Sequence, residues 1–224
     1  MRMICGDYGL ECVMDENSIT EILLDMPERF MEFVQRLWGQ FVGSDDFLLI
    51  SEDDKELRLE KVAEIITDPF HIDLNNRKIL ARIYQDIIED IQDKQLEALI
   101  NLKGQLESFV IDACDQSAYA LTYDSVQDFS NFLKLYNVRI DEEESDIINR
   151  LISYVRLSHQ VLGTKLFFFV NLKAYLSEQM MTDFYQSIQY EKVYAVMIER
   201  FESPKKECEN RIIIDKDGCL IYNE

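Results

Sequence analysis

The apolar run Leu166-Phe-Phe-Phe-Val170 constrains the fold of this chain more than any other segment. A strand with one wet face alternates apolar and polar side chains, whereas a strand buried on both faces does not. The run is too short for a typical helix, so it predicts the central strand of a sheet covered by helices. A helical pattern and a second apolar strand, residues 193–198, follow it. The segment therefore predicts a strand–helix–strand unit in an α/β domain.

Asn171 lies directly after this run, at the end of a strand where open α/β sheets bind ligands. A nucleotide-binding fold would have a magnesium-binding acid at this position. Phosphate-binding loops also need G-x-x-x-x-G-K-[ST], which supplies backbone N–H groups and a lysine. Residues 24–30, after the first long strand, contain no glycine, and Gly163-Thr164-Lys165 enters a strand rather than a helix. The sequence thus predicts no working phosphate site, and a nucleotide hydrolase remains only a third hypothesis, based on the strand–helix–strand layout.

The first part of the chain has a mixed α/β pattern. We predict strands at residues 19–24, 47–50, 57–59 and 62–66, and a helix with Pro27 in its first turn, where the missing N–H costs nothing. Near the other end, Asp217-Gly218 separates two apolar stretches and predicts a hairpin.

Between these parts, apolar residues recur at intervals of three and four. This spacing predicts four helices, around residues 79–91, 99–113, 126–136 and 148–162, with Ser125 and Asp128 as a capping box for the third. We therefore predict an α/β head built from residues 1–68 and 164–224, and an α-helical leg, residues 69–163, inserted between its two parts.

The 224 residues carry a net charge of −20, from 43 acids and 23 bases. Taken alone, this charge argues against nucleic-acid and anionic-membrane partners. Phosphates respond to the local field, however, and the Debye length at physiological salt is only about 8 Å. A basic face on an acidic body is therefore allowed. The five scattered cysteines predict free thiols, and the lack of a signal peptide or membrane span predicts a cytoplasmic protein.

Four aspartates cluster around the turn between the second and third predicted helices of the insert. Oxygen-rich clusters suit calcium, which takes six to eight oxygen ligands. The alternative is that these carboxylates are solvated charges at helix ends. The residues are Asp112, Asp115, Asp124 and Asp128.

Basic side chains are few, so their positions in the insert are informative. Each could also be an exposed charge that only increases solubility. The candidates for a DNA-binding surface are Arg77, Lys78, Arg82, Lys134, Arg139, Arg150 and Arg156.

The order and spacing of several short motifs resemble those of the type II-A CRISPR-associated adaptation protein, in its short form. The motifs are residues 165–177, which contain the apolar run, residues 193–199, residues 65–74, Leu121-Thr-Tyr123-Asp124, and residues 132–140. The similarity extends from about Ile19 to the end of the chain. Asp124 and Arg139 match acidic and basic positions of the family's pattern.

The resemblance implies an α/β head with a degenerate P-loop-NTPase-like sheet and an extended helical leg. It also implies a homotetrameric ring, stabilised by calcium, whose basic inner surface encloses double-stranded DNA, preferentially from free ends. Members take part in spacer acquisition with the CRISPR integration proteins and the type II effector nuclease, and have no known catalytic activity. We therefore expect a non-enzymatic DNA-binding protein. The alternative, based on the charge of −20, is an acidic protein-binding adaptor or DNA mimic.

Overall fold

The structure, a computed structural model, describes residues 1–91, 93–126, 128–142 and 146–223. The chain divides into two compact units: Met1–Leu74 with Glu142–Glu224, and Asn75–Asp141. We call them the sheet unit and the helical unit.

The fold is mixed α/β. The strands are β1 (Arg2–Cys5), β2 (Leu10–Val13), β3 (Ile19–Leu24), β4 (Leu49–Glu52), β5 (Lys55–Leu57), β6 (Ala63–Ile66), β7 (Leu166–Val170), β8 (Tyr194–Glu199), β9 (Glu209–Ile214) and β10 (Leu220–Asn223). The helices are α1 (Pro27–Phe41), α2 (Leu59–Val62), α3 (Arg77–Glu89), α4 (Asp93–Asp115), α5 (Ser130–Leu135), α6 (Ile147–Leu157) and α7 (Glu178–Glu191). No helix in the described part of the chain is long and apolar enough to cross a membrane.

The larger sheet has the strand order β10-β9-β3-β8-β7-β6. Strands β9, β3, β8, β7 and β6 are parallel, and β10 pairs antiparallel with β9 through the predicted hairpin. The predicted unit β7–α7–β8 is confirmed, as are the strand at residues 19–24 and the helix beginning at Pro27. The prediction that β7 is the central strand is wrong, because β3 and β8 form the middle pair. An unbroken apolar run reports burial on both faces but does not report the position of a strand within its sheet.

Strand β7 supplies side chains to two separate hydrophobic clusters. Leu166, Phe168 and Val170 belong to the cluster that also contains residues of α1. Phe167 and Phe169 belong to the cluster formed with α6 and α7. Successive side chains of a strand point to opposite faces, so both faces of β7 require apolar residues. This requirement explains the run that lacks alternation.

The smaller sheet is antiparallel, with the strand order β2-β1-β4-β5. Strands β1 and β2 were not predicted, because each is only four residues long and two repeats of a two-residue period are too few to stand out in the sequence. The predicted strands at 47–50 and 57–59 are displaced by two residues. Asp53 and Asp54 both have positive φ, 50° and 60°, in the two-residue turn between β4 and β5, which matches the twist of a tight hairpin.

Helix α6 was predicted as part of the helical leg, but it belongs to the sheet unit. Its buried residues, Ile148, Leu151 and Val155, pack in the same cluster as α7. The predicted boundaries at 69 and 163 therefore differ from those of the compact units, which lie at 74 and 142. The apolar period of α6 showed that it packs on one face but did not show which element it packs against.

The helical unit contains α3, α4 and α5. Asn76 caps α3, since its side chain accepts hydrogen bonds from the N–H groups of Lys78 and Ile79 at 3.0 and 3.1 Å. Helix α5 is shorter than predicted and begins at Ser130. The predicted capping box is wrong: Asp128 accepts hydrogen bonds from the N–H and hydroxyl of Ser130, and the Ser125 hydroxyl donates to the Glu107 carboxylate.

Candidate functional site

The turn between β3 and α1 is where a nucleotide-binding α/β fold would hold phosphates. In this chain only Asp25 and Met26 separate the two elements, and α1 begins at Pro27, which has no N–H group. Phosphate loops hold their ligand with several backbone N–H groups and a lysine. This short, glycine-free turn cannot supply that set of donors.

Asn171, at the carboxyl end of β7, forms a turn. Its φ is 54°, in the left-handed region that asparagine tolerates better than most residues. Its N–H donates to the carbonyl oxygen of Ile198 at 2.8 Å, and a short 3-10 helix, Leu172–Ala174, begins directly after it. Asn171 thus directs the chain from the strand into the helix.

A network of buried charges lies beside this turn and was not predicted from the sequence. The Lys173 ammonium contacts the Glu21 and Glu209 carboxylates at 2.7 and 2.5 Å and the Ser203 hydroxyl at 3.2 Å. The Arg211 guanidinium contacts Glu21 at 2.5 Å. Glu21 and Glu209 are completely buried. The three protons of the Lys173 ammonium are therefore all engaged by the protein.

Protonation of the buried acids follows from these contacts. Burial raises the pKa of the Glu199 carboxyl to about 7, although the N–H of Lys173 donates to it at 3.0 Å. Burial opposes ionisation of Glu209 as well, but hydrogen bonds from Lys173 and Tyr185 outweigh it and lower its pKa. A cavity of about 330 Å³, lined in part by Lys173, Ser203 and Lys206, adjoins the network. Because Glu21, Glu209 and Ser203 engage all three protons, the Lys173 ammonium presents no free proton to a ligand.

The predicted basic residues are divided between the two units. Arg150 and Arg156 lie on α6 in the sheet unit, where Arg156 contacts Glu191 at 2.6 Å and Arg150 is half-buried. Arg82, on α3, pairs with Asp86 at 2.9 Å. The remaining four are exposed residues of the helical unit, and no ion pair engages them within the described ranges: Arg77, Lys78, Lys134 and Arg139.

Two side chains, Asn75 just before α3 and Tyr84 on α3, hold the segment around Arg139. Asn75 accepts a hydrogen bond from the N–H of Ile140 at 2.8 Å and donates to its carbonyl oxygen at 3.1 Å. The Tyr84 hydroxyl donates to the carbonyl oxygen of Val138 at 2.5 Å. Arg139 is thereby held between two anchored residues, next to the helix on which Arg77 and Lys78 begin the first turn.

We call Arg77, Lys78, Lys134 and Arg139 the basic surface. The first turn of α3 contains no acidic residue, so the positive end of the helix dipole adds to the charge of Arg77 and Lys78. The sequence identified these residues individually, but nothing in it showed that Asn75 joins the segment of Arg139 to the start of α3. The arrangement can bind phosphate groups through charge-assisted hydrogen bonds.

The four aspartates predicted to bind calcium all lie in the helical unit. Asp112 and Asp115 are in the last turn of α4, Asp124 is in the following segment, and Asp128 binds Ser130. The hydrogen bonds from Ser130 lower the pKa of Asp128. Within the described part of a single chain, no three His, Cys, Asp or Glu side chains form a group that could hold a metal ion. Calcium binding therefore stays a prediction that depends on the family resemblance.

Two solved structures resemble the chain distantly. One is a putative ABC transporter ATP-binding protein from Pyrococcus furiosus, with a TM-score of 0.42 and 6% identity, covering 91% of this chain and 88% of that one. The other is a bacterial Atm1-family ABC exporter with ATP bound, with a TM-score of 0.45 and 14% identity, covering 95% of this chain and 34% of the exporter. Neither similarity bears on function at these TM-scores.

The sequence itself matches a protein-family model. The model, described as CRISPR-associated protein (Cas_Csn2), matches residues 40–218, which is more than three quarters of the chain. The match includes the helical unit, the strand–helix–strand unit β7–α7–β8 and strand β9, and it ends before β10. The resemblance to the type II-A adaptation protein is thereby confirmed, and the chain belongs to the Cas_Csn2 family of CRISPR-associated proteins, which implies a role in CRISPR adaptation.

Proposed function

We propose that this protein binds double-stranded DNA during spacer acquisition, without catalysing a reaction. The observation that carries the proposal is the basic surface of the helical unit. Its four cations are exposed, and none of them forms a direct ion pair with a carboxylate in the described residues. Contacts of this type bind phosphates and the shape of the duplex, with no base-edge readout.

The acidic total charge is compatible with this proposal because the charge is unevenly distributed. The helical unit, residues 75–141, contains seven bases and eleven acids of the chain's 23 and 43, so most of the net charge of −20 belongs to the sheet unit. The Debye length of about 8 Å at physiological salt limits the reach of carboxylates that lie farther than this from the basic surface. A phosphate at the basic surface responds mainly to the charges within that distance, and the proposal requires the four cations to outweigh nearby acids such as Asp128.

Three features of the sheet unit favour a non-catalytic role. The turn after β3 lacks phosphate-binding donors, Asn171 replaces a possible metal-binding acid, and Lys173 is occupied by Glu21, Glu209 and Ser203. We propose that this degenerate nucleotide-binding type of sheet serves as a scaffold.

Helix α4 supports self-association. It is 23 residues long, and none of its described side chains is buried. Leu102, Leu106 and Phe109, which follow the three–four spacing of a helix-packing seam, are 48%, 43% and 70% exposed. Further copies of the chain that pack against this seam would remove its apolar side chains from water. Such packing agrees with the homotetrameric ring that the family resemblance implies. Calcium, the integration proteins and the type II effector nuclease are further proposed partners of that assembly.

One observation favours a second candidate function, an acidic adaptor that binds protein. The side chains of Met31 and Trp38 on α1 are 64% and 49% exposed. They line an apolar groove of about 550 Å³ in the sheet unit, together with Phe30 and Val34. An adaptor of this kind would use the groove and the acidic sheet unit and would have no affinity for DNA.

Fluorescence anisotropy on a labelled linear duplex tests the proposal. Binding through phosphates should weaken steeply between about 50 and 200 mM salt, and should be equal for duplexes of unrelated sequence. Parallel sedimentation measurements, with calcium and with a chelator, follow self-association. A monomeric protein that does not bind DNA at low salt would support the adaptor instead. Sequence-specific binding whose affinity does not depend on salt would contradict phosphate recognition.

A further inference from the structure

The end of α5 presents two adjacent apolar side chains to solvent. Leu135 and Tyr136 are 75% and 80% exposed. In the sequence they lie between Lys134 and Arg139, which belong to the basic surface. Single exposed apolar side chains of this size are common, but two in succession, with Lys134 before them and Arg139 after them, place apolar and positively charged side chains on one exposed segment.

The backbone holds this pair in a defined position. The N–H of Asn137 donates to the carbonyl oxygen of Lys134 at 3.0 Å, and that of Val138 to the carbonyl oxygen of Leu133 at 3.0 Å. Asn137 has a φ of 49°, so the segment forms a Schellman motif with asparagine in the left-handed position. The Tyr84 hydroxyl fixes the next carbonyl, that of Val138. The exposed pair therefore lies on an anchored helix end, which reduces the conformational entropy lost on binding.

We propose that Tyr136 stacks on an exposed base face of the bound DNA, with Leu135 packed beside it, while the basic surface holds the adjacent phosphates. The inference rests on the proposed DNA-binding function and deepens it. The ring of tyrosine provides an aromatic face, and a base offers a matching face without any requirement for sequence. The surrounding cations exclude a strongly basic partner and favour an anionic one.

The free energy gained by stacking and the free energy needed to expose a base together determine which bases Tyr136 can contact. Stacking on one aromatic side chain contributes about 5- to 150-fold in affinity. A base inside an intact duplex must first be unstacked, which costs a comparable amount. A base at a duplex end or in a single-stranded overhang already exposes a face. Tyr136 is therefore expected to strengthen binding to DNA with such exposed bases and to contribute little on a closed duplex.

The test uses Tyr136→Ala and Tyr136→Phe, with Tyr190→Ala as a matched control. Tyr190 is also 80% exposed but lies on α7 in the sheet unit. Binding is measured by anisotropy on a duplex with a single-stranded overhang and by competition with a covalently closed circle, and 2-aminopurine at the overhang reports stacking.

We expect Tyr136→Ala to weaken binding to the overhang duplex by about 5- to 150-fold and to abolish the change in 2-aminopurine fluorescence. The salt slope, circle affinity and oligomeric mass should be unchanged, and Tyr136→Phe and Tyr190→Ala should behave as wild type. Unchanged overhang binding by Tyr136→Ala, an equal loss on the circle, or a smaller oligomer would overturn the inference while leaving salt-dependent binding intact. Failure of the wild-type protein to bind any DNA would overturn the proposed function, and the inference with it.

Discussion

The side chain of Asn75 forms two hydrogen bonds with the backbone of Ile140, although the residues are 65 positions apart in the sequence. It accepts from the N–H and donates to the carbonyl oxygen, as a neighbouring strand would. Because Ile140 follows Arg139, this pairing determines where one cation of the basic surface lies relative to the start of α3.

Replacing Asn75 with alanine should destabilise the helical unit by about 1–3 kcal/mol, because each of the two hydrogen bonds contributes about 0.5–1.5 kcal/mol. Urea unfolding followed by circular dichroism measures the change. Asn131→Ala serves as the control, since among the described residues the exposed Asn131 side chain accepts a single long hydrogen bond, of 3.3 Å from Lys134. Equal stability of the two variants would show that the pairing with Ile140 does not hold the segment in place.

The buried charge network should depend on each of its cations. Below about pH 7 Glu199 is protonated, so Lys173 and Arg211 balance Glu21 and Glu209. Lys173→Met leaves one buried carboxylate uncompensated and should cost about 3–5 kcal/mol in the free energy of unfolding.

The control for the network is the exposed pair Arg2–Glu11, whose side chains are about half exposed. Arg2→Ala should cost about 0–1 kcal/mol, because water and salt screen an exposed ion pair. A similar cost for the Lys173 and Arg2 variants in urea titrations would rule out the structural role of the network.

Glu199 should make stability depend on pH. Its pKa of about 7 in the folded protein lies above its ordinary value of 4.5. The folded state therefore binds the proton more tightly, and the stabilisation is complete below pH 4.5 and lost as pH rises through about 7. The lowered pKa of Glu209 has the opposite effect: it makes the folded protein less stable as pH falls, but only below pH 4.5. The loss between these limits is on the order of 3 kcal/mol.

Glu199→Gln keeps an acceptor for the N–H of Lys173 and removes the titration. Unfolding free energies of wild type and variant should converge near pH 5, and the variant should be the more stable protein at pH 8. Parallel curves over this range would contradict the assignment of the pH dependence to Glu199.

The seam on α4 predicts self-association. Leu106→Glu with Phe109→Glu introduces two charges into the seam and should reduce the mass of the particle, measured by light scattering after gel filtration. Phe201→Glu is the matched control, because Phe201 is 62% exposed and lies in the sheet unit. A wild-type monomer, or an oligomer unaffected by the double change, would refute assembly through α4.

Sequence patterns predicted the structural features that follow from the spacing of apolar residues, such as which faces of a strand are buried. Burial of β7 on both faces follows from its apolar run, since Phe167 and Phe168 must pack in different clusters. The patterns did not predict the partners of each element, so α6 was assigned to the wrong unit. Glu21 is the residue that could have indicated the charge network, because it is a glutamate within a mostly apolar strand. All six residues of that strand are buried. The partners of Glu21 in the network, Lys173 and Arg211, are at least 150 residues away and could not be identified locally.

The candidate site was predicted only in part for the same reason. Arg77 and Arg139 were identified as cations, but the position of Arg139 relative to α3 depends on Asn75 and Tyr84, whose hydrogen bonds join distant segments. Polar side chains in loops carry no period, so neither residue differed from an ordinary exposed residue in the sequence.

The salt dependence of DNA binding by the variant Arg77→Glu with Arg139→Glu tests the central claim most directly. Its control is Arg58→Glu, a charge reversal in the sheet unit at a side chain that is 72% exposed. On a linear duplex, the double variant should bind more weakly at every salt concentration, with a slope of log affinity against log salt that is shallower by roughly 1 to 2. The control should keep the wild-type slope. Equal affinity and equal slope for all three proteins would contradict the claim that the basic surface binds DNA.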